Sequence, residues 1–89
     1  MHFVYIVRCA DGTLYTGYAR NPRVRVHAHN SGRGAKYTAG RCPVQLVYQE
    51  AFRSLGKALA REYAVKQLTR AQKHALVVGG TSHRGVNRK

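Results

Sequence analysis

Eighty-nine residues leave room for one domain around one core, and no apolar run approaches the roughly 20 residues of a membrane-spanning helix. Sixteen Lys and Arg against three acidic residues give a net charge of +13, which points to polyanionic partners, nucleic acid first. The basic residues are spread along the chain, which argues against a membrane-surface amphipathic helix. Cys9 and Cys42 lack C-x-x-C spacing, so a disulfide framework and a zinc signature are both excluded.

Residues 3–7 are β-branched and aromatic and predict a strand with both faces covered. Ala10-Asp11-Gly12 then predicts a three-residue hairpin loop, with Gly12 in the left-handed position. That loop length sets Val7 opposite Tyr15 and makes Tyr5 a diagonal neighbour of Tyr15 on one face. A two-residue loop would put the two tyrosines on opposite faces. The second strand is predicted over residues 13–18, with Gly17 where a side chain would crowd whatever approaches.

Asn21-Pro22 reads as an N-cap followed by proline at the first helical position. The helix runs to about His29, is stopped by Asn30-Ser31-Gly32, and carries Arg25 and His29 on one face. A basic, glycine-punctuated loop over residues 32–41 follows. Pro43 opens a third strand over residues 44–49, whose alternation places Val44, Leu46 and Tyr48 together. Ser54 caps a helix predicted over residues 55–68, with Leu55, Ala58, Leu59 and Val65 in one stripe and Glu62 in its middle. Thr69 and Gln72 form a capping box for a last short helix that ends near Val78. The fold class is therefore α/β of the α+β type: a small three-stranded antiparallel sheet flanked by helices, in the order β-β-α-β-α-α. Residues 1–78 are expected to form one domain, and residues 79–89 a mobile basic tail with nothing to bury. The start of the chain lacks the features of a signal peptide, and a cytoplasmic or nucleoid-associated location is expected, with both cysteines as free thiols.

Glu62 is the most informative side chain, because a carboxylate on an apolar stripe of a very basic chain wants a partner. Two readings stay open from its position: a packing role, as a buried ion pair with an arginine such as Arg25 or by snorkelling to solvent, or a metal-binding or catalytic role. A single carboxylate is the kind of oxygen ligand that Mg²⁺ takes beside substrate phosphate and water. Tyr5 and Tyr15 each read singly as packing residues. Together beside Arg25 they could position or deprotonate a water, if a nearby cation lowers the phenol pKa. Arg25 with His29 suits phosphate, which a guanidinium holds in bidentate fashion. Arg20, Arg23, Lys36, Tyr37, Arg41 and Lys57 are candidates for nucleic-acid backbone contacts, taken collectively. The histidines show no metal-binding spacing.

Five stretches in order resemble the GIY-YIG nuclease domain superfamily: Phe3-Val4-Tyr5, Tyr15-Thr16-Gly17, Asn21 to Arg25 leading to His29-Asn30, Gly34-Ala35-Lys36-Tyr37-Thr38, and Arg61-Glu62-Tyr63-Ala64. The chain is most similar to small single-domain bacterial members, akin to the catalytic module of the SLX-type structure-specific endonuclease subunit. Phe3 stands where the family has glycine, Thr16 where it has isoleucine, and the asparagine that many relatives carry after the glutamate helix has no counterpart.

The resemblance implies a metal-dependent endonuclease using Mg²⁺ (or Mn²⁺) held by Glu62. It makes Tyr5 the residue that activates or orients water, and Tyr15 a support for that water or for the scissile phosphate. It gives Arg25 the transition-state charge and His29 assistance to the phosphate or to proton transfer. The expected partner is nucleic acid, DNA foremost, in branched or single-stranded form. A subunit that acts only with a protein partner supplying specificity is a third reading, which no residue indicates, and no membrane role is expected. The alternative reading is a non-catalytic nucleic-acid-binding module with the same fold.

Overall fold

The computed structural model describes residues 1–33 and 40–80. The elements are β1 (His2–Arg8), β2 (Leu14–Ala19), α1 (Pro22–Asn30), β3 (Gln45–Phe52), α2 (Leu55–Lys66) and α3 (Arg70–Gly80), in the predicted order. The three strands form one antiparallel sheet in the order β2-β1-β3, so the most apolar strand lies in the middle. Val4, Tyr5, Ile6 and Val7 are all fully buried, as a central strand covered on both faces requires.

Turn chemistry sets the β1–β2 register. Gly12 adopts φ +86°, its N–H donates to Cys9 O at 2.9 Å, and Cys9 N–H donates to Thr13 O at 2.8 Å. Asp11 Oδ1 accepts from the Thr13 amide and hydroxyl, which fixes the loop locally. The three-residue loop therefore holds, with Val7 opposite Tyr15 and Tyr5 opposite Gly17. Both tyrosines stand on one face.

Successive residues of β1 feed two apolar cores. Val4 and Ile6 pack with Ala58 and Val65 of α2 and Val77 of α3. Tyr5 and Val7 pack on the other face with Val44 and Leu46, and there Val26 of α1 covers them. Here β3 departs from expectation. A bulge falls where Ile6 pairs with Tyr48 but Val7 pairs with Leu46. The extra residue, Val47, flips the alternation, so Val44 and Leu46 join the α1 face while Tyr48 joins the α2 face.

Helix α1 starts as its residues dictate. Asn21 is extended (φ −142°, ψ 96°), its Oδ1 accepts from the amides of Arg23 and Val24, and Pro22 is the first helical residue. Ser54 caps α2 through the Lys57 amide, and Thr69 and Gln72 bond reciprocally at the start of α3. Three boundaries move most: β3 runs on to Phe52 rather than ending at residue 49, α2 stops at Lys66 rather than at residue 68, and α3 extends to Gly80. The expected tail beyond residue 80 lies outside the described residues. The α2 stripe is also narrower than expected. Ala58 and Val65 are buried, but Leu55 and Leu59 are 45% and 44% exposed, because only the inner edge of the stripe rests on the sheet.

Candidate active site

Tyr5 sits on the central strand with its ring laid across β2 at Gly17. A Cβ at position 17 would stand 2.5 Å from Tyr5 Oη and 2.7 Å from its Cζ. Glycine is thus what lets the Tyr5 hydroxyl lie over the edge strand. Tyr15, two pairs along β2 and so on the same face, is half-buried.

Helix α1 brings two more groups to this face. The His29 imidazole is 1% exposed, and its Nε2 is 3.0 Å from Tyr5 Oη. Tyr15 meets the same imidazole edge-on, with ring centroids 5.5 Å apart. Arg25, one turn before His29, has its guanidinium near enough to Tyr5 to lower the phenol pKa. Its Nε is buried without a hydrogen-bond partner. Such an atom is costly to leave unpaired unless a ligand takes it. Tyr5, Tyr15, Arg25 and His29 are therefore one cluster.

The electrostatics correct one expectation. The Tyr5 pKa is raised above 10.0, not lowered, because burial outweighs the hydrogen bond and charge of Arg25. Tyr15 and Glu62 add smaller upward pushes. The His29 pKa is lowered from 6.5 by burial first and by the Arg25 charge second. At neutral pH the pair is a protonated phenol beside a neutral imidazole.

Glu62 approaches from the other layer. Its helix packs across β1 and β2, with neighbouring Ala58 and Val65 in the core on the face opposite Tyr5. Its charge still reaches Tyr5 across an edge strand that carries no side chain at Gly17. The ion pair considered with Arg25 does not form. Glu62 Oε2 pairs instead with Lys66 Nζ at 3.1 Å, one turn along α2. Among the described residues no group of three or more His, Cys, Asp or Glu is arranged to hold a metal.

The candidates for backbone contact divide. Arg20, Arg23 and Lys57 are exposed, and the first two line an open groove at the start of α1. Arg41 pairs with Asp11, Nη1 to Oδ2 at 3.0 Å, which ties the hairpin loop to the segment before β3. Lys36 and Tyr37 lie outside the described residues, as does the motif stretch 34–38.

Two positioning groups were not singled out from sequence. Asn30, read only as a helix stop, accepts from the Val44 amide at 2.6 Å and donates to Val44 O at 3.2 Å. That pair fixes the end of α1, and with it His29, to the start of β3. Arg61 Nε holds Glu50 Oε1 at 2.8 Å and anchors the Glu62 helix to β3. A chain with sixteen cations and three carboxylates offers no sequence signal for which arginine takes which acid.

Comparison with known proteins agrees with the fold. A family model described as the GIY-YIG catalytic domain matches residues 1–75. A UPF0213 protein of Staphylococcus epidermidis is 56% identical over 79 residues, covering 89% of this chain and 96% of that protein. A UPF0213 protein of Staphylococcus aureus is 57% identical over 76 residues, covering 85% and 93%. The solution structure of the UPF0213 protein BH0048 from Bacillus halodurans aligns with a TM-score of 0.58 at 43% identity, covering 97% of this chain and 98% of that one. That of EF2693 from E. faecalis aligns with a TM-score of 0.61 at 40% identity, covering 97% and 93%.

Proposed function

Because the chain belongs to the GIY-YIG catalytic domain family, a nuclease-type family, we propose that it is a divalent-metal-dependent endonuclease acting on DNA, in branched or single-stranded form. One observation carries the reading: a buried Tyr5–His29 hydrogen bond beside an arginine whose Nε has no partner. A phosphate taken up by Arg25 would satisfy that atom, and the guanidinium would stabilise charge building on the phosphate oxygens.

Proton movement follows from the pKa directions. A protonated Tyr5 cannot act as a free phenolate, but it can relay. Its O–H proton passes to Nε2 of neutral His29 while its oxygen accepts a proton from the attacking water. Burial, and after it the Arg25 charge, opposes an imidazolium at His29 in the resting protein. Phosphate bound to Arg25 offsets that charge, so substrate itself favours the transfer. Tyr15, edge-on to His29, keeps the ring in place.

Mg²⁺ or Mn²⁺ fits these residues in one way. Glu62, the carboxylate whose charge reaches Tyr5, would hold the ion, with substrate phosphate and water as further oxygen ligands. Such an ion would polarise the phosphate oxygens as a Lewis acid.

The test is incubation of the pure protein with flap, nicked, single-stranded and duplex DNAs in Mg²⁺ or Mn²⁺. Metal-dependent cleavage lost in Glu62→Gln is the expected result. No cleavage of any substrate, or a Glu62→Gln variant as active as wild type, refutes it. The raised Tyr5 pKa favours a second reading, a binding module without strong catalysis. That reading predicts salt-sensitive, metal-independent binding with no cleavage.

A further inference from the structure

At the N-terminal end of α1 an open groove of about 270 Å³ is lined by Phe3, Arg20, Asn21, Pro22, Arg23 and Gln49. Phe3 lies two residues before Tyr5 on β1, and Gln49 is the β3 partner of Tyr5. Both therefore share the sheet face of the Tyr5–His29 cluster, with Phe3 about 7 Å along the strand from Tyr5.

The lining is selective in its chemistry. It contains two guanidinium groups and no carboxylate, so it suits an anion. The helix N-terminus is not the anchor, because Asn21 Oδ1 already takes the Arg23 and Val24 amides. Between the arginines and the sheet stand one half-buried aromatic ring and one exposed amide, Phe3 and Gln49. Two cations, a π-face and a donor–acceptor amide are what one nucleotide needs for its phosphate, its base plane and its base edge. A lipid headgroup or free phosphate would use the cations alone.

We propose that this groove is a nucleotide subsite. It holds the nucleotide next to the scissile phosphate, with the phosphate between Arg20 and Arg23, the base against Phe3, and the base edge at the Gln49 amide. The inference rests on the nuclease reading for its register but not for the binding itself. Occupying the groove sets which phosphate reaches Arg25, because Phe3 and Tyr5 share one rigid strand. It also demands a base free of its duplex partner, since a paired base presents neither a whole face nor its pairing edge.

The test is a metal-free binding titration of the full chain with labelled oligonucleotides that carry one abasic residue at successive positions. Loss of the base at one position is expected to weaken binding about five- to a hundredfold, with neighbouring positions silent. Phe3→Leu keeps bulk without a π-face, and Gln49→Ala changes an exposed side chain. Each should weaken binding of the intact oligonucleotide and blunt the dependence on that one position. Should Phe3→Leu fail to fold, Gln49→Ala carries the comparison alone. Arg20→Gln and Arg23→Gln should each lower the slope of log affinity against log salt by about 1. A flat abasic scan, or a sensitive position unchanged in the Gln49 variant, overturns the subsite. Metal-dependent cleavage is scored separately. A flat scan with intact cleavage removes the groove alone, and a sensitive scan with no cleavage supports the groove while refuting the nuclease reading.

Discussion

Tyr5 and His29 meet at 3.0 Å, Oη to Nε2, although 24 residues separate them and one belongs to the sheet and the other to α1. Both are buried, so the contact is a fixed part of the core as well as the centre of the site. Tyr5→Phe should leave the fold intact, at a cost of about 1–3 kcal/mol for the unpaired imidazole nitrogen. Cleavage should fall about 10²–10⁴-fold, the usual contribution of a positioned proton-transfer group. Thermal denaturation beside single-turnover cleavage separates the two effects. A merely structural tyrosine would lose stability and keep its rate.

Gly17→Ala attacks the same contact from the other side. The new Cβ would sit 2.5 Å from Oη, and Tyr5 is fully buried, so its ring can move only by displacing core neighbours. The expected destabilisation is about 1–3 kcal/mol, typical of overpacking. Urea denaturation gives the magnitude, and the imidazole NMR shift of His29 should report a broken hydrogen bond. An unperturbed His29 resonance would show that the ring had another place to go.

What could be read from sequence was whatever local chemistry decides. The Asn21-Pro22 cap, the Thr69–Gln72 box and the Gly12 turn each depend on residues within a few positions, and each forms as expected. Because the turn sets the register, it also placed Tyr5 and Tyr15 on one face. The β3 bulge was not legible, since one extra residue between Leu46 and Tyr48 costs little locally yet exchanges the two faces. The partner of Glu62 was in reach as an i,i+4 lysine, but helix spacing cannot weigh Lys66 against an arginine on another element. The direction of the Tyr5 pKa was not legible either, because it turns on burial outweighing a neighbouring charge.

Arg25→Ala tests those electrostatics with two opposite meanings in one variant. Tyr5 loses a neighbouring guanidinium that lowers its pKa, so its titration should move further above 10.0. His29 loses a charge that disfavours its protonated form, so its pKa should move up toward 6.5. Phenolate absorbance follows the first and imidazole NMR the second. A tyrosine titration that moves down would place Arg25 away from the hydroxyl.

Glu62→Gln should separate site chemistry from fold. Its ion pair with Lys66 lies on a helix surface and is worth at most about 1 kcal/mol, so the melting temperature should move little. Removing the carboxylate takes away one upward push on Tyr5, and the phenol should titrate lower in metal-free protein. Calorimetric Mn²⁺ binding in the presence of oligonucleotide should disappear. Retained binding would give the ion another ligand.

His29 should make stability pH-dependent on the acid side of neutrality. Its folded pKa lies below 6.5, so the unfolded chain takes up a proton that the folded chain refuses. Between the folded pKa and 6.5 the unfolded state binds more protons, and stability falls as pH falls through that window. Above 6.5 neither state is protonated there and the dependence vanishes. The slope cannot exceed about 1.4 kcal/mol per pH unit for one group. His2, whose pKa is also lowered, adds to the slope with the same sign. Urea denaturation at pH 7 and pH 5 should therefore show a loss in wild type that shrinks, without vanishing, in His29→Gln. An identical loss in both would mean that the imidazole accepts its proton in the folded protein, and the neutral proton acceptor that the relay requires would not be there.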